Sequence, residues 1–266
     1  MTRAPVHRAM MAEDLVRLGL GEGDLVLVHA SLRSLGFVVG GAVAVVEALR
    51  DAIGERGTLV VPTTTSDNSD PSRWASTRKQ AVPESWWPEI RSQLPAFDPA
   101  VTPSHGVGTL AETVRTWPGA RRSRHPQTSF AALGADAEKL MAVHDLDCHY
   151  GPASPLGTLA GLPAKILLLG VPYAVCTAFH HAEYFQPDPP VREYECVIDD
   201  GEGRRWYRYR DVVLDDSDFG ELGAALEASP SAARIRRGPV GEADCRLVPL
   251  GEAVHFATGW FAAHRW

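Results

Sequence analysis

DLVLVHAS at residues 24–31 and GTLVVPTTT at residues 57–65 decide the fold. Each is a run of apolar residues that empties into polar ones. Between them lie a glycine-rich bend, SLRSLGFVVGG (31–41), and a stretch at 42–53 with apolar positions along its whole length, which predicts a helix. Strand, loop, helix and strand in that order mark a parallel unit. Polar residues at the carboxyl ends of such strands are where open α/β sheets bind ligands.

Working outward, Ala9, Met10, Leu15 and Leu18 give an apolar stripe for a first helix over 8–19. Residues 66–105 are irregular and rich in proline, and a loop this long inside a domain is functional or disordered. Its aromatics, Trp74, Trp86, Trp87 and Phe97, argue for packing. Helical pattern resumes at 108–114 and 135–143, and KILLLGV (165–171) is a third buried strand. Residues 191–214 alternate as two strands around Asp200-Gly201, a hairpin signal. From about 217 the chain reads as helix and short strand closing the sheet. No internal repeat and no linker divides it. The expected fold is α/β, a single layered domain over residues 1–266 with a central mixed, largely parallel sheet flanked by helices.

The 266 residues suffice for a core without covalent staples. No apolar stretch approaches the roughly 18 residues of a membrane span. The amino-terminal MTRAPVHRAMMAEDLVRLGL carries acids and no continuous apolar run, which makes it a poor signal peptide and the expected location cytoplasmic. Cys148, Cys176, Cys196 and Cys245 are widely spaced, with no CxxC pair, and read as reduced thiols. The net charge of −7 argues against nucleic acid and suits a cationic substrate.

The chemistry concentrates at Thr177-Ala178-Phe179-His180-His181-Ala182-Glu183, directly after the third strand. Residues three apart are neighbours on a helix, so Thr177, His180 and Glu183 share a face. A hydroxyl donor, a base and a carboxylate to orient it make a catalytic face. A half-buried helix whose histidine is satisfied by the glutamate is the alternative reading. His181 points about 100° away from His180, a poor arrangement for one metal, and no metal site is expected. Phosphate loops of the Gly-Lys type, G-x-S-x-G elbows and H-E-x-x-H zinc helices are absent. GPASPLG (151–157) only approaches an elbow. At Cys176 a small buried hydrophobe competes with an acyl-accepting nucleophile.

Five segments in order resemble the aminoglycoside 3-N-acetyltransferase family. They are HASLRSLGFVVGG (29–41), FDPAVTPSHGVG (97–108), RRSRHPQTSFAALG (121–134), YGPASPLGTL (150–159) and LLLGVPYAVCTAFHHAE (167–183). The chain departs from the family in having Cys176 where Asn often precedes the motif threonine, and in its loop at 64–78. The resemblance implies acetyl transfer from acetyl-coenzyme A to the 3-amino group of a deoxystreptamine ring, on a fold distinct from the GCN5 type. It also implies aminoglycoside or other polyamine and coenzyme A as partners, without nucleic acid or membrane. A same-fold acyltransferase acting on another amine in biosynthesis is the second implication.

Amide formation from a thioester needs a neutral amine, an acceptor for its proton and donors for the oxyanion. Imidazole titrates near neutrality, which points to His180 as base with Glu183 fixing its tautomer. Thr177, or a backbone N–H at the helix start, would meet the oxyanion. The coenzyme is expected on the turn after the first strand, at His29, Ser31, Leu32, Arg33, Ser34, Leu35, Gly36 and Val39. Ser104, Gly106 and Val107 of TPSHGVG would form its second wall. The alternative is that Gly36, Gly40 and Gly41 merely let the chain turn. Ammonium groups on the substrate need carboxylates, for which Asp67, Asp70, Asp98, Asp211 and Glu183 are candidates, with Tyr150 beside them.

Overall fold

The computed structural model describes residues 4–74 and 82–265. The chain runs α1 (Arg8–Leu18), β1 (Leu25–Ala30), α2 (Gly41–Ile53), β2 (Thr58–Pro62), α3 (Trp87–Gln93), α4 (Gly108–Arg115), β3 (Arg121–Arg122) and β4 (Phe130–Gly134). It continues through α5 (Ala137–Met141), α6 (Pro155–Ala160), β5 (Lys165–Leu169), α7 (Phe179–Glu183), β6 (Val191–Asp199) and β7 (Arg204–Val212). The closing elements are α8 (Phe219–Ala228), β8 (Arg236–Val240), β9 (Ala243–Pro249) and α9 (Leu250–His264).

Seven strands form one sheet in the order β3-β4-β2-β1-β5-β9-β8. β1 lies parallel to β2 on one side and to β5 on the other, with His29 level with Leu168. The sheet is mixed, as expected, but its parallel part is confined to these three central strands. β4, β3, β9 and β8 all pair antiparallel. The pairs β3–β4 and β8–β9 are short returns, which only an antiparallel neighbour allows, whereas β4 and β9 come back beside β2 and β5 after long excursions through other elements. β8 and β9 are joined through Gly241-Glu242, and Gly241 has φ +56°, the left-handed value such a two-residue turn favours in glycine.

Alternate residues of each central strand serve opposite faces, as the two-residue period of a strand requires. Val26, Val28, Leu167 and Leu169 pack with α1, α2 and α4, through Leu15, Leu49 and Val114 among others. Leu25, Leu27, Ile166 and Leu168 pack on the other face with Leu140, Leu156, Phe179, Phe219 and Phe261. The continuous apolar runs of the sequence therefore reflect a sheet buried on both sides.

β6 and β7 pair separately as a two-stranded ribbon, from Val191↔Val212 to Asp199↔Arg204. The segment expected to be irregular contains α3, and its aromatics do pack. Trp74 is buried and donates its indole N–H to the Ser69 carbonyl at 3.1 Å, while the Arg122 guanidinium lies over Phe97 at 4.9 Å. Trp86 is the exception and is 58% exposed. Residues 75–78 of the loop that departs from the family, and residues 1–3 of the amino terminus, lie outside the described residues. Among the described residues no helix is long and apolar enough to cross a membrane.

Candidate active site

The carboxyl ends of β1, β2 and β5 lie side by side, and the catalytic candidates gather beyond them. β5 ends at Leu169, a 3-10 turn spans Tyr173–Val175, and α7 begins only at Phe179. The helix is thus shorter than the spacing suggested. Thr177 lies in the turn before it, where its carbonyl accepts the His180 N–H at 3.1 Å. The Thr177 hydroxyl takes part in none of the described hydrogen bonds, and the residue does not line the cleft described below.

His180 and Glu183 do meet. His180 Nδ1 donates to Glu183 Oε2 at 2.8 Å, so Nε2 is the ring nitrogen left for other work. The Glu183 carboxylate is 1% exposed and would be costly there without partners. Its second oxygen accepts from Arg265 Nη1 at 2.6 Å and from the Asp215 N–H at 3.1 Å. Arg265 also pairs with Asp218 and lies 3.9 Å over the Phe261 ring, which fixes it in turn. Tyr150 stacks on the His180 imidazole, with centroids 5.2 Å apart and planes 8° from parallel. Two bonds hold Tyr150: its carbonyl accepts from His181 Nδ1 at 2.7 Å, and its N–H donates to the Tyr184 hydroxyl at 3.3 Å. His181 therefore braces the tyrosine plate rather than facing the cleft. His29, buried at the end of β1, is pushed down to about 4 by burial and, second, by the proximity of His180. It stays neutral at pH 7.

A cleft of about 1090 Å³ opens beside His180 and Tyr150. The segment after β2 (Thr64 to Arg73), α3 and the β6–β7 ribbon form its other walls. Of the expected substrate acids only Asp70 lines it. Asp70 is bound by Arg91 at 2.6 and 3.0 Å and by Ser72, and the Arg91 hydrogen bond is the main cause holding its carboxyl down at about 2. Asp211 is buried. Its Oδ2 accepts from the backbone N–H (2.7 Å) and Nδ1 (2.6 Å) of His149 and from the Tyr184 hydroxyl (2.6 Å). Burial works to raise the Asp211 carboxyl, but the hydrogen bonds from His149 and Tyr184 prevail and hold it below its ordinary value. Burial in turn lowers His149, so an ionised Asp211 faces a neutral imidazole. Asp98 is exposed, caps its own turn through Ala100 N–H at 2.8 Å and stands away from the cleft, as does the half-buried Asp67.

Sequence reasoning missed Glu193, Asp216, Arg192 and Arg208, all of which line the cleft. Three of these lie on the ribbon strands, where Arg192 and Glu193 are adjacent, so the two-residue alternation of a strand gives no signal that both line the cleft. Arg208 pairs with Glu195 across the two strands.

The expected coenzyme turn is a 3-10 helix, Leu32–Leu35, closed by Gly36 at φ +86°. A Cβ there would stand 2.8 Å from the Glu242 side chain, so the glycine also serves close packing against the β8–β9 turn. Ser31 N–H donates to Leu169 O at 3.0 Å and Ser34 N–H to Ser31 O at 3.1 Å, which occupies two of the expected donors. Val39 N–H donates to Val6 O at 2.8 Å, and the Leu35 side chain lies in the core. Arg33 is exposed. In the expected second wall, Ser104 gives both its N–H (3.0 Å) and its hydroxyl (2.6 Å) to Glu112, whose carboxyl Arg115 above all holds down at about 2. Gly106 has φ +78°, and Val107 is the residue before the first turn of α4.

His180, the buried Glu183 and Arg265 thus form one chain of contacts beyond the parallel strand trio, on a fold whose relatives are acyltransferases unlike the GCN5 type. Residues 27–262 match the model of the aminoglycoside 3-N-acetyltransferase family. The SPbeta prophage-derived aminoglycoside N(3')-acetyltransferase-like protein YokD of Bacillus subtilis (strain 168) is 41% identical over 267 residues, covering 98% of this chain and 94% of its own. Its crystal structure superposes with a TM-score of 0.94 over 99% of this chain and 96% of that one. Aminoglycoside N(3)-acetyltransferase VII of Streptomyces paromomycinus is 40% identical over 96% of this chain and 91% of its own. A structure described as AAC-IIIb binary with CoASH is 30% identical, with a TM-score of 0.84 over 98% of this chain and 97% of that one. The chain belongs to the aminoglycoside 3-N-acetyltransferase family, and it is an acyltransferase.

Proposed function

We propose that the protein transfers acetyl from acetyl-coenzyme A to the 3-amino group of a deoxystreptamine aminoglycoside, within a ternary complex and with His180 as general base. The observation that carries this reading is the relay itself. Glu183, fixed by Arg265, holds the proton on His180 Nδ1 and leaves Nε2 as acceptor beside a cleft large enough for a trisaccharide-sized ligand. The neutral amine attacks the thioester carbonyl carbon, and Nε2 takes the amine proton. The C–S bond breaks with its electron pair on sulfur, and the imidazolium returns the proton to the thiolate. One amide and one free thiol result. Exposed Arg33 and the N–H groups of Leu32 and Arg33 fit the phosphates and amides of the coenzyme. The names of the relatives support the aminoglycoside as acceptor. A same-fold acyltransferase acting on a different amine is the second reading, and the balanced charge of the cleft favours it.

Thiol release from acetyl-coenzyme A against a panel of aminoglycosides and simple amines tests the reading. Wild type should turn over at least one aminoglycoside. His180→Ala should lose about 10²–10⁴-fold in kcat while still binding coenzyme A. Near-normal turnover by His180→Ala would remove His180 from the mechanism.

A further inference from the structure

Besides its carboxylate, the His180 imidazole meets two aromatic rings. Tyr150 stacks on it, offset and nearly parallel, and Phe219 approaches with centroids 4.7 Å apart and planes tilted by 56°. The Tyr150 ring is packed in turn by Phe130, in a T-shaped contact with centroids 5.8 Å apart. The segment that carries Tyr150 is pinned from several sides. Asp211 Oδ2 accepts from the N–H and Nδ1 of His149 and from the Tyr184 hydroxyl, and that hydroxyl accepts the Tyr150 N–H. A Cβ on Gly151 would stand 2.5 Å from the Tyr184 ring, so the close approach needs glycine there. From the other side, His181 donates to the Tyr150 carbonyl. The two adjacent histidines of α7 thus grip one residue, His180 by its ring and His181 by its backbone.

Burial pushes the Tyr150 phenol up, which removes it as a base at neutral pH. The face of its ring is what it offers the imidazole. An aromatic face is negative and holds a cation within about 6 Å of the ring centre, whereas a neutral partner gains only packing. As proton acceptor, His180 begins neutral and ends as an imidazolium. The stack therefore strengthens as the amine proton arrives on Nε2, and an interaction that strengthens towards the transition state raises the rate rather than the affinity.

We propose that Tyr150 is a positioning residue for the transfer, its ring face keeping the imidazole turned to the cleft and stabilising the imidazolium that forms there, with Asp211 and Tyr184 holding the ring in place. The inference rests on the acetyl-transfer reading and adds a member to its base. The charged and titratable groups that also face the imidazole are Glu183 with Arg265 behind it, His29 at the end of β1, His149, and Asp215 and Asp216 ahead of α8. A comparison that changes only the ring at 150 leaves all of them in place.

The test keeps the shape of the ring and inverts its charge distribution. Position 150 carries phenylalanine (Tyr150→Phe) or, by amber suppression, pentafluorophenylalanine, whose face is positive. With acetyl-coenzyme A saturating, kcat/KM for neomycin should be about tenfold or more lower with the fluorinated ring than in Tyr150→Phe, while KM for acetyl-coenzyme A is alike in both. Should the fluorinated protein not fold, Tyr150→Leu, apolar but without a ring face, takes its place with the same expected loss. Equal rates in the two proteins, while wild type acetylates neomycin, overturn the inference and leave the acetyl-transfer reading intact. Absence of thiol release by wild type with neomycin and with simple amines counts against that reading instead. The resting protein then decides the inference. The His180 ring, labelled with carbon-13 and assigned by its loss in His180→Gln, is titrated by NMR in the same two proteins. A midpoint lower by about 0.5 pH unit or more with the fluorinated ring, or in Tyr150→Leu, supports the inference, and coincident midpoints overturn it.

Discussion

Cys176 shows how much a single position depends on its surroundings. It sits directly before Thr177 in the turn that leads into α7, yet it is fully buried. Desolvation pushes its thiol up to about 12, against the weaker pull of the Ala178 and Phe179 N–H groups. A thiol so placed is almost wholly protonated at neutral pH and is a poor nucleophile. Cys176→Ala should therefore retain most of its turnover, and initial-rate patterns should be sequential. Parallel double-reciprocal lines, or acetyl found on Cys176 by mass spectrometry after incubation without acceptor, would establish the covalent route instead. His180 and Glu183 are the opposite case, because their three-residue spacing was visible in the chain and the pair forms. Their third member was not visible, since Arg265 lies 82 residues beyond Glu183.

Among the elements, the ribbon β6–β7 carries the largest debt to distant residues. Its existence was legible from alternating residues around Asp200-Gly201. The direction its charges take was not. Asp211 reads as a surface acid on a polar strand, and only the fold reveals that it meets His149, 62 residues away, and Tyr184. The same holds for Asp70, whose partner Arg91 is 21 residues on. Long-range pairing, invisible to local pattern, decides which acids remain for a ligand. The central strands were legible because burial on both faces imposes unbroken apolar runs. Their antiparallel neighbours were not legible as such, because an apolar strand carries no mark of its direction. Asp211→Asn should destabilise the protein by about 1–3 kcal/mol, the range for a buried hydrogen-bonding group left mismatched. Urea unfolding measures this. Chemical stability equal to wild type would show that the His149–Asp211 contact does not hold the ribbon.

For the whole molecule, acid sensitivity follows from its buried imidazoles. Burial lowers His125 far below its ordinary value, His144 to about 3 and His29 to about 4. The unfolded chain takes up these protons as pH falls through about 6.5, while the folded chain refuses them until far lower. Between those limits the unfolded state binds more protons, so folding stability is fully present above about pH 6.5 and declines below it. Each ring contributes a slope of about 1.4 kcal/mol per pH unit in that window. Asp70 and Glu112, both held down at about 2, add a further loss as the pH falls from about 4 towards 2. Unfolding free energies in urea at pH 7.5, 6.0 and 5.0 should fall in that order. A flat profile between pH 7.5 and 5.0 would mean that these rings are not held neutral.

The relay has a consequence in time as well as in space. Arg265 follows α9, so a ribosome has already made β1, β5, α7 and the whole cleft before it adds the group that fixes Glu183. Until then the Glu183 carboxylate has only the His180 ring and the Asp215 N–H to meet it. The Glu183–Arg265 contact can therefore form only after every strand of the sheet has been made.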